Sequence, residues 1–89
     1  PQSLQEVAQE VSIYPNPAEE EITLGGLEEQ AEYEVSVMNS LGATLLRERK
    51  MQTDLLGECV IAVDDLPVGV YFVRLSNSTE TLMVKFVKR

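Results

Sequence analysis

Along this chain apolar residues recur at every second position in short runs, and no stretch sustains the period of a helix. The two clearest runs close the chain. Leu66-Pro67-Val68-Gly69-Val70-Tyr71-Phe72-Val73-Arg74-Leu75 is followed, after the turn residues Ser76 to Glu80, by Thr81-Leu82-Met83-Val84-Lys85-Phe86-Val87-Lys88-Arg89. Tyr71, Val73 and Leu75 share one face of the first, and Leu82, Val84 and Phe86 share one face of the second. Two such segments joined by Asn- and Ser-rich turn chemistry predict a terminal β-hairpin.

The remainder breaks up in the same way. Residues 1–10 are polar and without alternation, and read as a linker from an upstream domain, with the folded unit spanning 11–89. The chain opens on Pro1 and reads as a piece of something longer. Val11 and Ile13 face one way and Ser12 and Tyr14 the other, which predicts a strand ended by Pro15 and Pro17, neither of which can donate to a ladder. Glu21 to Leu24 is a second strand, stopped at Gly25-Gly26. Tyr33, Val35 and Val37 alternate with Glu32, Glu34 and Ser36 in a half-buried third. Asn39-Ser40-Leu41-Gly42 predicts a turn, with Ala43 to Arg49 pairing back and Met51 to Gly57 a loop. Cys59 to Val63 is a fifth strand, and Asp64 to Gly69 a corner. Seven short strands in so small a domain predict an all-β, immunoglobulin-like antiparallel sandwich.

Composition narrows the chemistry. Eighty-nine residues with 44% apolar content make one domain with a thin core, because a chain this short buries only about 60% of its unfolded surface. The net charge is −8, and no Lys or Arg precedes Arg47, whereas Glu6, Glu10, Glu19, Glu20, Glu21, Glu28, Glu29, Glu32 and Glu34 do. An acidic body repels a phosphate backbone, which argues against nucleic acid. The basic side chains gather at the end, in Lys85, Lys88 and Arg89. Histidine is absent, so the usual neutral-pH base and the commonest metal ligand are missing. Cys59 is the single cysteine and cannot form an internal disulfide. Alternation places it beside Ile61 and Val63 as a buried, inert thiol.

Candidate reactive groupings dissolve on inspection. Adjacent carboxylates in Glu19-Glu20-Glu21 and Glu28-Glu29 diverge on extended backbone, whereas calcium wants six to eight converging oxygens. Asp64 and Asp65 are better suited to bonding backbone amides at the corner than to sharing a catalytic pocket. Asn77-Ser78-Thr79 fits the glycosylation triplet but lies in a turn that favours Asn and Ser for backbone reasons. No phosphate loop, metal-ligand spacing or nucleophile motif is present; the inventory argues against an enzyme and implies no cofactor. What remains is an outward apolar stripe of Val70, Phe72, Met83 and Val87 bordered by Arg74, Lys85 and Arg89, a candidate interaction or dimerisation face.

Four motifs taken in order carry a family resemblance. Tyr14-Pro15-Asn16-Pro17-Ala18, Val37-Met38-Asn39-Ser40-Leu41-Gly42, Leu66-Pro67-Val68-Gly69-Val70-Tyr71-Phe72-Val73 and Val84-Lys85-Phe86-Val87-Lys88-Arg89 resemble the C-terminal sorting domain of type IX secretion cargo in Bacteroidetes, the Por secretion system tail domain. Nearly all of Val11 to Arg89 is covered. The family's proline motif falls on Pro15, Asn16 and Pro17, and its turn glycine on Gly42. The Leu-Pro-x-Gly-x-Tyr element falls on Leu66, Pro67, Gly69 and Tyr71, and the basic-apolar tail on Lys85, Phe86, Val87, Lys88 and Arg89. Ala43 stands where members often carry a polar residue and Ala62 where an Asp is common.

The resemblance implies an immunoglobulin-like sandwich that addresses an exported cargo. The cargo folds in the periplasm, and the outer-membrane translocon with its shuttle proteins recognises the domain. A sortase-like cysteine peptidase then removes the domain at or near residues 1–10 and links the cargo to anionic lipopolysaccharide at the cell surface. The physical roles fit: Tyr71 anchors the corner, and an unblocked terminal strand offers its edge to a receptor. The competing expectation is a retained accessory binding or dimerisation module of a surface protein or a secretion-machinery component.

Overall fold

The computed structural model describes residues 11–89, with the backbone alone at Glu48 and Arg49. The linker reading of residues 1–10 lies outside the described residues. Seven strands form: β1 (Ser12–Tyr14), β2 (Glu21–Gly25), β3 (Glu32–Asn39), β4 (Thr44–Gln52), β5 (Cys59–Ala62), β6 (Gly69–Ser76) and β7 (Thr81–Lys88). They make two antiparallel sheets, one of order β1-β2-β5 and one of order β4-β3-β6-β7. The all-β sandwich expected from the alternation is what forms.

Each sheet turns one face inward. β2 supplies Ile22 and Leu24, β5 supplies Cys59 and Ile61, and Val63 follows, its N–H bonded to the Glu20 carbonyl at 2.8 Å. Tyr33, Val35 and Val37 of β3, Tyr71, Val73 and Leu75 of β6, and Phe86 of β7 face them from the other sheet. The alternation in these strands therefore reports burial directly. Val11 and Ile13 pack against the edge of the core while Tyr14 is exposed.

β4 departs from expectation. It runs through Met51 and Gln52 rather than stopping at Arg49, and its pairing with β3 slips between Tyr33 and Val35 and again between Val37 and Met38. Each slip reverses the parity of the strand, so a simple two-residue period misplaces its end. Thr53 anchors that end. Its N–H donates to the Ala31 carbonyl at 2.9 Å, and its buried hydroxyl accepts the Ala31 N–H at 2.8 Å while donating to the Glu28 carbonyl.

Two turns share one design. Asn39 Oδ1 accepts the N–H groups of Leu41 and Ala43, and Asp54 Oδ1 accepts those of Leu56 and Glu58, each bond 2.9–3.0 Å long. In each, the glycine three residues on, Gly42 or Gly57, has a positive φ, +88° or +74°. A Cβ on Gly57 would lie 2.2 Å from the Leu27 carbonyl oxygen, so that position admits only glycine.

The sandwich is closed unevenly. At one side β1 and the segment after it lie against β7. At the other, β5 and β4 are both edge strands, and between them lies a cleft of about 240 Å³ lined by Leu46, Met51 and the stretch from Val60 to Leu66.

Phe86 is fully buried between the sheets. Phe86→Ala is expected to cost about 3–5 kcal/mol in urea-unfolding measurements, against under about 0.5 kcal/mol for Val60→Thr on the outer face of β5.

Candidate functional site

The proline segment and the end of the chain are bound to one another. Asn16 Oδ1 accepts the Val87 N–H at 2.9 Å, across a separation of 71 residues. Ala18 N–H donates to the Val87 carbonyl at 2.7 Å, and Arg89 N–H donates to the Ala18 carbonyl at 2.8 Å. Ala18 and Lys88 thereby form a short parallel bridge, with the Ala18 methyl wholly buried. Pro15 and Pro17, both preceded by cis peptide bonds, are exposed on either side of Asn16. Neither can donate a backbone hydrogen, which leaves the Asn16 side chain and the Ala18 backbone to make the contacts.

A second junction ties the corner to the same strand. The Tyr71 hydroxyl donates to the Pro67 carbonyl at 2.6 Å, and its ring stacks on Phe86 with centroids 5.5 Å apart and planes 23° from parallel. A tyrosine at the start of a strand bonding backward to the corner before it recurs in two-sheet β-sandwiches. Leu66 is buried beneath it, its N–H bonded to the Val63 carbonyl at 3.0 Å. The Asp64 and Asp65 carboxylates do not take the expected amide bonds. Both are exposed, and the tyrosine and the Leu66 amide close the corner instead.

The tail residues divide by parity. Phe86 and Lys88 face the core, and Lys88 is only 7% exposed, its Nζ donating to the Arg89 carbonyl at 3.4 Å. Lys85, Val87 and Arg89 are exposed. The expectation of an unblocked terminal edge therefore needs correcting at its end. The backbone groups of Val87 and the Arg89 amide are occupied by Asn16 and Ala18, because the chain after β1 crosses onto that edge. Gly42 lies in the turn before β4, away from this junction, whereas Gly69 opens β6 and pairs with Lys88 on the side opposite Ala18.

The outward stripe is contiguous. Val70 pairs with Val87, Phe72 with Lys85 and Arg74 with Met83, so Met83 and Val87 flank Phe72 diagonally. Met83 is 57%, Val70 41% and Val87 37% exposed. β3 adds Met38 opposite Phe72 on the other side. The sequence reading missed Met38 as part of this face, although its parity with Ser36 signals it.

Other groups do quieter work. Asn77 Oδ1 accepts the N–H groups of Thr79 and Glu80 and the Thr79 hydroxyl, so its carboxamide shapes the β6–β7 turn. Burial pushes the Cys59 thiol up from its ordinary value, with the Asp54 carboxylate adding to the effect. Burial likewise raises Tyr33, whose hydroxyl lies 3.4 Å from both the Glu28 amide and a Glu80 carboxylate oxygen. Glu19, Glu20 and Glu21 are exposed, and among the described residues no group of three or more His, Cys, Asp or Glu converges on a metal position.

Fold and junction together define a small β-sandwich module whose first motif grips its last. Residues 12–89 match the family model described as the secretion system C-terminal sorting domain, and the chain belongs to that family, the type IX secretion sorting signals. No curated protein matches the chain. Membership makes the domain a signal for export toward the outer membrane or the extracellular space.

Asn16→Ala and Tyr71→Phe are each expected to cost about 1 kcal/mol in chemical denaturation, the worth of one hydrogen bond. Amide exchange at Val87 accelerates in Asn16→Ala and stays slow in Asn16→Asp, which keeps the accepting oxygen.

Because the folded values of Cys59 and Tyr33 lie above their unfolded ones, the unfolded chain loses its protons first as pH rises. Stability is thus full below the ordinary thiol value of about 8.5 and declines above it, through the ordinary tyrosine value of about 10. A denaturation midpoint series against pH checks this.

Proposed function

We propose that the domain is a label without chemistry of its own, read at the terminal hairpin together with the proline segment that grips it. The observation that carries this reading is the bond set joining Asn16 and Ala18 to Val87 and Arg89. It makes the family's first and last motifs one surface, which exists only when the sandwich has formed. Leu66, Pro67, Gly69 and Tyr71 act one step back, by fixing the strand that carries Lys85 to Arg89. The readers are the type IX translocon and its outer-membrane shuttle proteins. A sortase-like peptidase cuts within or next to residues 1–10 and passes the cargo to anionic lipopolysaccharide.

The test is a reporter carrying this 89-residue chain at its C-terminus, expressed in a host with the type IX machinery. Deletion of Val84 to Arg89 is expected to leave the reporter in the periplasm, and normal surface delivery would refute the label. Mass spectrometry of the surface and medium forms locates the cut. A second reading rests on the exposure of Met83 and Val70 beside Phe72: a retained module that dimerises through this face. It predicts concentration-dependent association abolished by Phe72→Asp with export intact.

A further inference from the structure

We infer that the open edge of β7 from Thr81 to Lys85 is a strand-addition site for an extended partner segment in which acidic and apolar residues alternate. The inference rests on the sorting-label reading and names the kind of segment that reads the hairpin.

The phase of the ladder comes first. Asn77 N–H donates to the Glu80 carbonyl, closing the hairpin with a bonded pair, and bonded pairs alternate along antiparallel strands. Leu82, Val84, Phe86 and Lys88 therefore bond β6, while Thr81, Met83, Lys85 and Val87 direct their N–H and C=O groups away from it. The bonds from Val87 to Asn16 and Ala18 fit this phase. They also end the free edge there. Thr81, Met83 and Lys85 keep three donors and three acceptors with no backbone partner among the described residues. The free stretch spans about 14 Å, at about 3.4 Å per residue, and accepts about five residues of a partner.

Side chains dictate what those residues are. On the inner face Leu82 and Val84 are only partly buried, so an added strand completes the core there with apolar groups. On the outer face an added residue sits opposite exposed Lys85, with Arg74 beyond Met83 and Arg47 across Ser36 in the same row. The chain's wider charge points the same way. Arg47, Lys50, Arg74, Lys85, Lys88 and Arg89 all lie on or directly after strands of the four-stranded sheet. Glu19, Glu20, Glu21, Glu58, Asp64 and Asp65 border the three-stranded one. Glu32 and Glu34 of β3 and Glu80 before β7 place acids near the Thr81 end of the free edge and leave Lys85 and Arg74 at its other end. In a molecule of net charge −8 the Met83–Lys85 part of the β7 edge, beside Arg74 and Lys85, is where a negative strand meets positive charge. A second copy, carrying the same net charge, is disfavoured.

The probe is the capped peptide Glu-Val-Glu-Val-Glu, titrated into the isotope-labelled 89-residue chain, with Lys-Val-Lys-Val-Lys as its control. Amide signals of Thr81, Met83 and Lys85 are expected to shift saturably and to gain exchange protection, at least tenfold more tightly with the acidic peptide. Met83→Pro, which removes an outward N–H and none that β6 uses, is expected to abolish binding with signal dispersion retained. Lys85→Glu is expected to weaken binding tenfold without touching the backbone. Equal response to both peptides, no response at millimolar peptide, shifts confined to β4 and β5, or self-association removed by Met83→Pro would each overturn the inference. The reporter separates the two ideas. Export lost on deletion of Val84 to Arg89 but normal in folded Met83→Pro sinks the strand-addition site and spares the label. Export indifferent to the deletion sinks the label, and the peptide titration still decides the chemistry of the edge.

Discussion

The contact between Ala18 and the last residues of the chain is the constraint on which the arrangement of this domain depends. A parallel bridge one residue long contributes little energy by itself. Its effect comes from where it acts. It joins the edge of one sheet to the edge of the other, buries the Ala18 methyl, and uses backbone groups of Val87 and Arg89 that would otherwise extend an open ladder. An edge strand of eight residues is a hazard unless it is shortened or covered. Here the cover comes from the same chain, and only part of the strand is covered.

The Tyr71–Phe86 stack makes the second link. Because Tyr71 is held at its hydroxyl by the corner and at its ring by β7, a displacement of the terminal strand is felt at Pro67. Residues that a motif comparison would assign to recognition thus separate into two groups. Leu66, Pro67, Tyr71, Phe86 and Lys88 hold the architecture, and Lys85, Val87, Arg89 and the exposed prolines face solvent. Ala43 and Ala62 sit at exposed positions where the backbone alone is used.

Much of this was legible from alternation. The inward sets Tyr33-Val35-Val37 and Tyr71-Val73-Leu75 are read directly from their spacing, since a strand with one buried face imposes that period. The same parity placed Lys88 with Leu82, Val84 and Phe86. The structure follows that parity, with the lysine amine reaching the Arg89 carbonyl. The end of β4 was not legible, because two register slips erase the period that locates it. The Asp54 turn was legible by analogy, for Asp54-Leu55-Leu56-Gly57 repeats the spacing of Asn39-Ser40-Leu41-Gly42. The grip of Asn16 on Val87 left no local trace, as nothing near either residue announces a partner 71 positions away.

The uneven closure of the sandwich has a mechanical consequence. The two sheets are bound along one spine, where the first strand meets the last, and stand apart along the other, where Leu46 and Met51 look across at Ile61 and Val63. Thermal opening of such a body swings about its bound side. Water then reaches the interior first beside β5.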